Sequence, residues 1–200
     1  MPKAELFAYL AAFVTIMLAI ALTDMVQSAH RLLRDRSRVR WDFLTPLLAL
    51  WVFLWVLSEF FSLWLDARFE KLTFYGLLGL ITVPTLTSLA AFAVLPDDVP
   101  SEGLDLERFY FENLTYFILL LALINAADVA RILAFAIRFD GFKEVGPWVP
   151  YLMWWGVTFA CLALMYLVRK RWAQLTSLIG LLAVAHMGFG GASIEALPTT

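Results

Sequence analysis

Residues 6–29 read LFAYLAAFVTIMLAIALTDMVQSA, and Asp24 is the only charged residue in this run. A helix needs about 20 mostly apolar residues to cross the roughly 30 Å hydrocarbon core of a bilayer, so the run is long enough to cross it. The run leads into an arginine cluster without a small-residue cleavage site. We therefore interpret it as a retained transmembrane helix rather than a signal peptide.

Five further stretches have a similar length and apolar character. They are residues 43–65, 72–95, 109–137, 147–168 and 172–190. The composition agrees, since 62% of the chain is hydrophobic and only 16% is charged, whereas charged residues make up about 25% of a soluble domain. The sequence predicts an all-α integral membrane protein with six transmembrane helices and the lipid bilayer as its surroundings. The 15 basic and 17 acidic residues nearly cancel, which gives no basic face for nucleic acid.

The two halves of the chain repeat each other at an offset of 104 residues without a gap. The identical pairs include Phe7 with Phe111, Asp24 with Asp128, Pro46 with Pro150, Trp51 with Trp155 and Gly76 with Gly180. Because three helices is an odd number, a second copy enters the membrane from the opposite side. We predict one membrane domain with a 3+3 inverted-topology repeat: residues 1–95, an acidic linker loop at 96–108, and residues 109–200.

Basic residues concentrate in two of the connections between these helices. One holds Arg31, Arg34, Arg36, Arg38 and Arg40 and the other holds Arg169, Lys170 and Arg171, against Arg68, Lys71, Arg138 and Lys143 on the opposite side. Cytoplasmic loops retain positive charge, and acidic residues contribute little to this rule, so the acidic linker is compatible with it. We predict a bacterial-type cytoplasmic (inner) membrane protein with both termini on the non-cytoplasmic side.

Acidic and basic residues within the predicted helices are the first candidates for function, because each charge at a helix centre costs at least about 2.5–3.5 kcal/mol. An inner group contains Asp24, Gln27, His30 and Arg31, and an outer group contains Glu59, Asp128 and Arg131. We expect Asp24 to lie near Arg31 or a neighbouring basic residue, and the outer three to lie together. The groups could gate an ion pathway, or they could be ion pairs that fix helix register.

Few polar residues fall near the membrane midplane. The candidates are Thr82 and Thr85 beside Pro84, together with Asn125 and His186. The two threonines could form a small polar site, or they could bond to their own helix. So sparse a set argues against a highly charged solute.

No run of residues matches a catalytic, cofactor or metal motif, so we expect no cofactor and no enzymatic activity. The single cysteine, Cys161, has no partner for a disulfide, and His30 and His186 fall at different depths, which argues against a shared haem. Two functions remain. The inverted repeat favours a small transporter or channel for an ion, a proton or a small solute. The dry midplane favours a non-transporting scaffold or accessory subunit that packs on other membrane subunits or on a second copy.

Overall fold

The computed structural model of the chain describes residues 3–66, 74–138 and 149–190, and the side chains of residues 8–61, 78–133 and 152–185. The helices are α1 (Lys3–Arg34), α2 (Leu44–Asp66), α3 (Phe74–Ala93), α4 (Leu106–Arg138), α5 (Val149–Leu167) and α6 (Arg171–Gly190). The prediction of an all-helical chain is confirmed. Helices suit so apolar a sequence because, except at their ends, they satisfy the backbone polar groups within one segment.

Three helical segments among the described residues are long and apolar enough to cross a membrane: Ala8–Arg34, Leu44–Phe61 and Leu106–Leu133. Three further apolar helices are shorter over the residues described: Leu78–Ala93, Leu152–Leu167 and Arg171–Ala185. The long segments support a membrane protein. Six membrane crossings stay a prediction.

The helix α2 lies at the centre of the bundle and packs against α1, α3, α4 and α6. Four helices follow one another in a closed circuit, in which α2 packs on α4, α4 on α5, α5 on α6, and α6 on α2. We call this arrangement the four-helix ring. The helices α1 and α3 pack on each other and on α2, and α3 also packs along α4. The ring is therefore flanked by α1 and α3 on one side.

The helix bounds follow the sequence repeat, since Lys3–Arg34 and Leu106–Arg138 correspond closely at the offset of 104 residues. The packing does not follow it. Among the described residues α1 packs extensively on α3, whereas the equivalent helices α4 and α6 share no comparable interface. The inverted repeat is therefore not confirmed at the level of helix packing, because matched residues set where helices begin and end but not which faces meet.

Three described connections, residues 35–43, 94–105 and 168–170, meet at one end of the bundle, which we call the loop face. A 3-10 turn at Arg36–Arg38 leads into β1 (Val39–Arg40), which pairs in parallel with β2 (Leu104–Asp105). Gly103 makes this pairing possible: its φ is +98°, and a Cβ there would lie 2.9 Å from the Arg38 carbonyl oxygen. Thus α1, α3 and α5 end at the loop face, and α2, α4 and α6 begin there.

Candidate functional site

Two aspartates cap the helices that begin at the loop face. The Leu44 N–H donates to Asp42 Oδ1 at 2.9 Å, and the N–H groups of Glu107 and Arg108 donate to Asp105 Oδ1 at 3.0 and 3.1 Å. A carboxylate at this position pairs with N–H groups that have no partner within the helix. Neither cap was predicted, although an aspartate directly before an apolar helical run is a recognisable start signal.

Each capping aspartate also pairs with an arginine from another part of the chain. Arg171 Nη2 lies 2.5 Å from Asp42 Oδ2, and Arg171 Nη1 lies 3.5 Å from Glu107 Oε2. Arg40 Nη1 lies 3.0 Å from Asp105 Oδ2. The N–H of Arg108 and the nearby Arg40 guanidinium hold the pKa of Asp105 below its ordinary value of 3.8, against a partial desolvation. The acidic linker therefore supplies counter-charges to the arginine clusters.

A buried hydrogen-bond network lies directly beneath this face and joins three helices of the ring. The Tyr110 hydroxyl on α4 donates to Gln174 Oε1 on α6 at 2.9 Å. The Gln174 amide donates to the carbonyl oxygens of Met165 and Val168, at the end of α5, at 2.8 and 2.9 Å. Tyr110 and Gln174 are both fully buried. This network closes the four-helix ring at the loop face.

Tryptophan side chains occupy the interior of the ring below that network. The ring centroids of Trp51 and Trp55 on α2 are 5.1 Å apart. Trp55 also reaches Trp154 on α5, at 6.3 Å between centroids. Since α2 and α5 are diagonal in the ring, this contact crosses its interior. The aromatic face predicted on α2 therefore packs inward, against α5.

Among the described residues, seven buried side-chain polar atoms have no hydrogen-bond partner, including one on Trp55 and one on Asn125, which belong to helices of the ring. These two are the indole N–H of Trp55, a donor, and the amide oxygen of Asn125, an acceptor. The Asn125 amide nitrogen is satisfied, because it donates to the Leu121 carbonyl at 2.7 Å. Val52 and Leu121 line one small apolar cavity of about 10 Å³ between α2, α3 and α4. Trp55 and Asn125 each follow this cavity by about one helical turn along their own helices.

The outer candidates lie one further turn from the loop face. Asp128 Oδ1 pairs with Arg131 Nη2 at 2.8 Å, and these side chains are 13% and 26% exposed. Glu59 is buried on α2. Glu59 and Asp128 each lie seven positions beyond Val52 and Leu121 respectively, on helices that run in the same direction, so they share a depth. Direct contact between Glu59 and the pair stays a prediction.

The inner candidates do not form the cluster that the sequence suggested. Arg31 Nη2 donates to Ser28 Oγ at 3.0 Å rather than pairing with Asp24, so the expected Asp24–Arg31 pair is wrong. Within the described residues Asp24 forms no ion pair with a neighbouring base. It lines an open groove with Gln27 on the outside of α1, and His30 is exposed. The arginine turns inward because Ser28 is buried one turn before it.

The midplane candidates separate into two kinds. Thr82 and Thr85 each donate to a carbonyl of their own helix at 2.7 Å, those of Leu78 and Ile81, which favours the structural explanation for them. Asn125 is fully buried and keeps one free acceptor. His186 belongs to α6, but its side chain lies outside the described residues. Gln174 and Ser177 were not among the predicted candidates, although their helical spacing on α6 puts two buried polar side chains on one face.

No family model, curated protein or solved structure matches this chain. The fold and these contacts define an all-helical bundle with apolar helices compatible with a membrane.

Proposed function

We propose that this chain is a small membrane transporter or channel that moves an ion, a proton or a small solute through the four-helix ring. The observation that carries the proposal is the pair of buried, unpaired groups on Trp55 and Asn125. A buried donor or acceptor without a partner costs about 1–3 kcal/mol. An unpaired donor and an unpaired acceptor in an otherwise apolar interior can form hydrogen bonds with water or with a polar solute that crosses the protein.

The proposed path has a polar group near each end and is closed at the loop face. At that end, the Tyr110–Gln174 bond spans the ring, and Arg171 lies outside it in contact with Asp42 and Glu107. At the deeper end lie Glu59 and the Asp128–Arg131 pair. A solute could therefore reach Trp55 from the loop face only after the Tyr110–Gln174 bond opens.

The proposed solute is small and carries little charge. The polar groups between the two ends are neutral, and Glu59 is the one buried acid on the inward face of α2. A carboxyl group can take up and release a proton, and neutral donors and acceptors can exchange hydrogen bonds with an uncharged solute. A multiply charged solute would need more opposite charge at this depth.

The proposed setting is a bacterial-type inner membrane that the chain crosses six times. Support comes from the arginines of the loop face, which favour a cytoplasmic position for it. It also comes from the opposite directions of α1 and α4, which end and begin at that face. We also propose that the two halves of the chain are related as a 3+3 inverted repeat.

The test is a flux assay on the purified full-length protein in liposomes. Proton flux is followed with an internal pH dye under a potassium gradient and valinomycin, and flux of glycerol or urea is followed by light scattering. We expect wild-type flux of at least one probe. Glu59→Gln and Asn125→Ala should abolish or strongly reduce it, whereas the exposed variant Glu112→Gln should keep it.

Stability measurements on the same samples separate loss of flux from loss of fold. Asn125→Ala removes only one buried amide, so its vesicles should contain folded protein. Equal flux in wild type and Asn125→Ala would contradict a path through the ring. Absence of flux for all three probes in the wild type would favour the alternative, a scaffold or accessory subunit.

A further inference from the structure

An open groove runs along the outside of α1 where the end of α3 packs against it, with a volume of about 370 Å³. Its apolar part is made by side chains that are all substantially exposed, Ile16, Ile20 and Phe92. Its polar part is made by Thr23, Asp24 and Gln27. Along α1 the groove therefore changes from apolar at Ile16 and Ile20 to polar toward the loop face, and Phe92 flanks its polar end from the last turn of α3.

Asp24 is the distinctive residue of this groove. Its carboxylate is half-buried, and no cationic side chain of the described residues pairs with it. The neighbouring Thr23 hydroxyl is already engaged, because it donates to the Ala19 carbonyl at 2.8 Å. A carboxylate at the margin of apolar surroundings is favoured when a cation with N–H donors lies beside it.

Asp24 lies roughly 27 Å along the apolar run that begins at residue 6, and so close to the boundary between the roughly 30 Å of hydrocarbon and the headgroups. Helix α1 contains 32 residues and is therefore roughly 48 Å long, which exceeds the roughly 30 Å of hydrocarbon. Asp24 lies about 15 Å before the end of α1 at Arg34, whereas Ile16 and Ile20 lie deeper. An amphiphile in the groove would thus direct its chain along the isoleucines and its head toward Asp24.

We propose that this groove binds an aminophospholipid, with an acyl chain against Ile16 and Ile20 and the primary ammonium on the Asp24 carboxylate. Charge complementarity selects this occupant. An ammonium group supplies three N–H donors, a choline group supplies none, and an anionic glycerol headgroup is repelled. The site lies on α1, outside the four-helix ring, so the proposal is independent of transport.

Native mass spectrometry of the delipidated full-length protein in detergent tests this site. The probes are dioleoyl phosphatidylethanolamine, phosphatidylcholine and phosphatidylglycerol with identical chains. The wild type should bind phosphatidylethanolamine about tenfold more tightly than the other two, the factor that one charge-assisted hydrogen bond contributes. Asp24→Asn should remove this preference, and the exposed loop variant Asp98→Asn should retain it.

A second variant tests the apolar part of the groove separately. Ala19 is exposed beside Ile20, and Ala19→Phe should fill the groove and weaken binding of all three lipids. Equal affinity of the wild type for the three lipids would overturn the proposal, as would an unchanged preference in Asp24→Asn. A second protein chain displaced by Ala19→Phe would instead identify the groove as a contact between copies, and would also overturn it.

Discussion

The Asp128–Arg131 pair is a local feature whose energetic weight depends on burial. Both side chains are more than half withdrawn from solvent, and charges in such surroundings need their partners more than exposed charges do. Its counterpart for comparison is Arg108–Glu112, also on α4, whose side chains are 78% and 58% exposed. The two pairs share a helix and differ mainly in environment.

We predict that Asp128→Asn lowers the free energy of unfolding by about 1–3 kcal/mol, because it removes the carboxylate from a partly buried guanidinium. Glu112→Gln should change it by about 0.5 kcal/mol or less, since exposed pairs contribute little. Reversible denaturation in detergent, monitored by circular dichroism, measures both. Equal effects of the two substitutions would show that burial does not strengthen the Asp128–Arg131 pair.

Asp105 links the pH dependence of stability to the loop face. Its pKa is lowered in the folded protein, so the native state binds fewer protons than the unfolded chain near that pH. The contribution of Asp105 to folding stability is therefore complete above its ordinary pKa of 3.8. It is lost as the pH falls through the lower pKa that Asp105 has in the folded protein.

We predict that wild-type thermal stability falls more steeply than that of Asp105→Asn between about pH 5 and pH 2. Asparagine keeps an oxygen that can cap α4, but it does not titrate and does not pair with the Arg40 charge. Melting temperatures across this range measure the difference. Asp97→Asn, at an exposed loop position, should follow the wild type, and parallel curves for all three proteins would count against the assignment.

At the scale of the helices, α5 and α6 approach closely at a glycine. A Cβ added at Gly180 would lie 3.1 Å from Cys161 Sγ, whereas a Cβ at Gly156 on α5 would meet nothing within 4 Å. Both glycines lie in helices, so substitution changes helix propensity similarly at each. Only Gly180 adds a packing conflict. The lone cysteine thereby acquires a packing role.

We predict that Gly180→Leu lowers stability by about 1–3 kcal/mol through overpacking, while Gly156→Leu leaves it unchanged or raises it by up to about 1 kcal/mol through helix propensity. Cys161→Ala should recover part of the loss in the double variant, because it removes the atom that the new side chain meets. A double-mutant cycle on unfolding free energies measures this coupling. A coupling of zero would place the α5–α6 contact elsewhere.

At the scale of the whole molecule, the charges of the loop face predict the orientation of the protein in the membrane. Its arginines favour the cytoplasm, and the ion pairs from Asp105 and Glu107 explain how an acidic linker can share that side. The basic residues counted on the opposite side, Arg68, Lys71 and Lys143, lie outside the described residues.

We predict that Ser101→Cys, in a Cys161→Ala background, is protected from a membrane-impermeant maleimide in intact cells. Thr200→Cys in the same background should be labelled. Both should react after permeabilisation, which controls for accessibility and expression. The reverse pattern would place the loop face outside and overturn the predicted orientation.

The sequence by itself determined the helical segments and the charge contacts between residues that are close in the chain. Apolar runs and capping aspartates act over a few residues, and so does the spacing that joins Asp128 to Arg131. These are properties of a local stretch of chain, because helix formation needs only neighbouring backbone groups. The repeat at an offset of 104 residues belongs to the same local level.

Tertiary structure alone decided which helix faces meet. The bonds of Tyr110 with Gln174 and of Arg171 with Asp42 join residues far apart in sequence, and Trp55 meets Trp154 across the ring. Near-uniform apolar helices do not encode their neighbours in hydrophobicity, so the choice rests on the shapes of packed side chains. That choice turned Asp24 to an outer groove and left Trp55 and Asn125 unpaired in the interior.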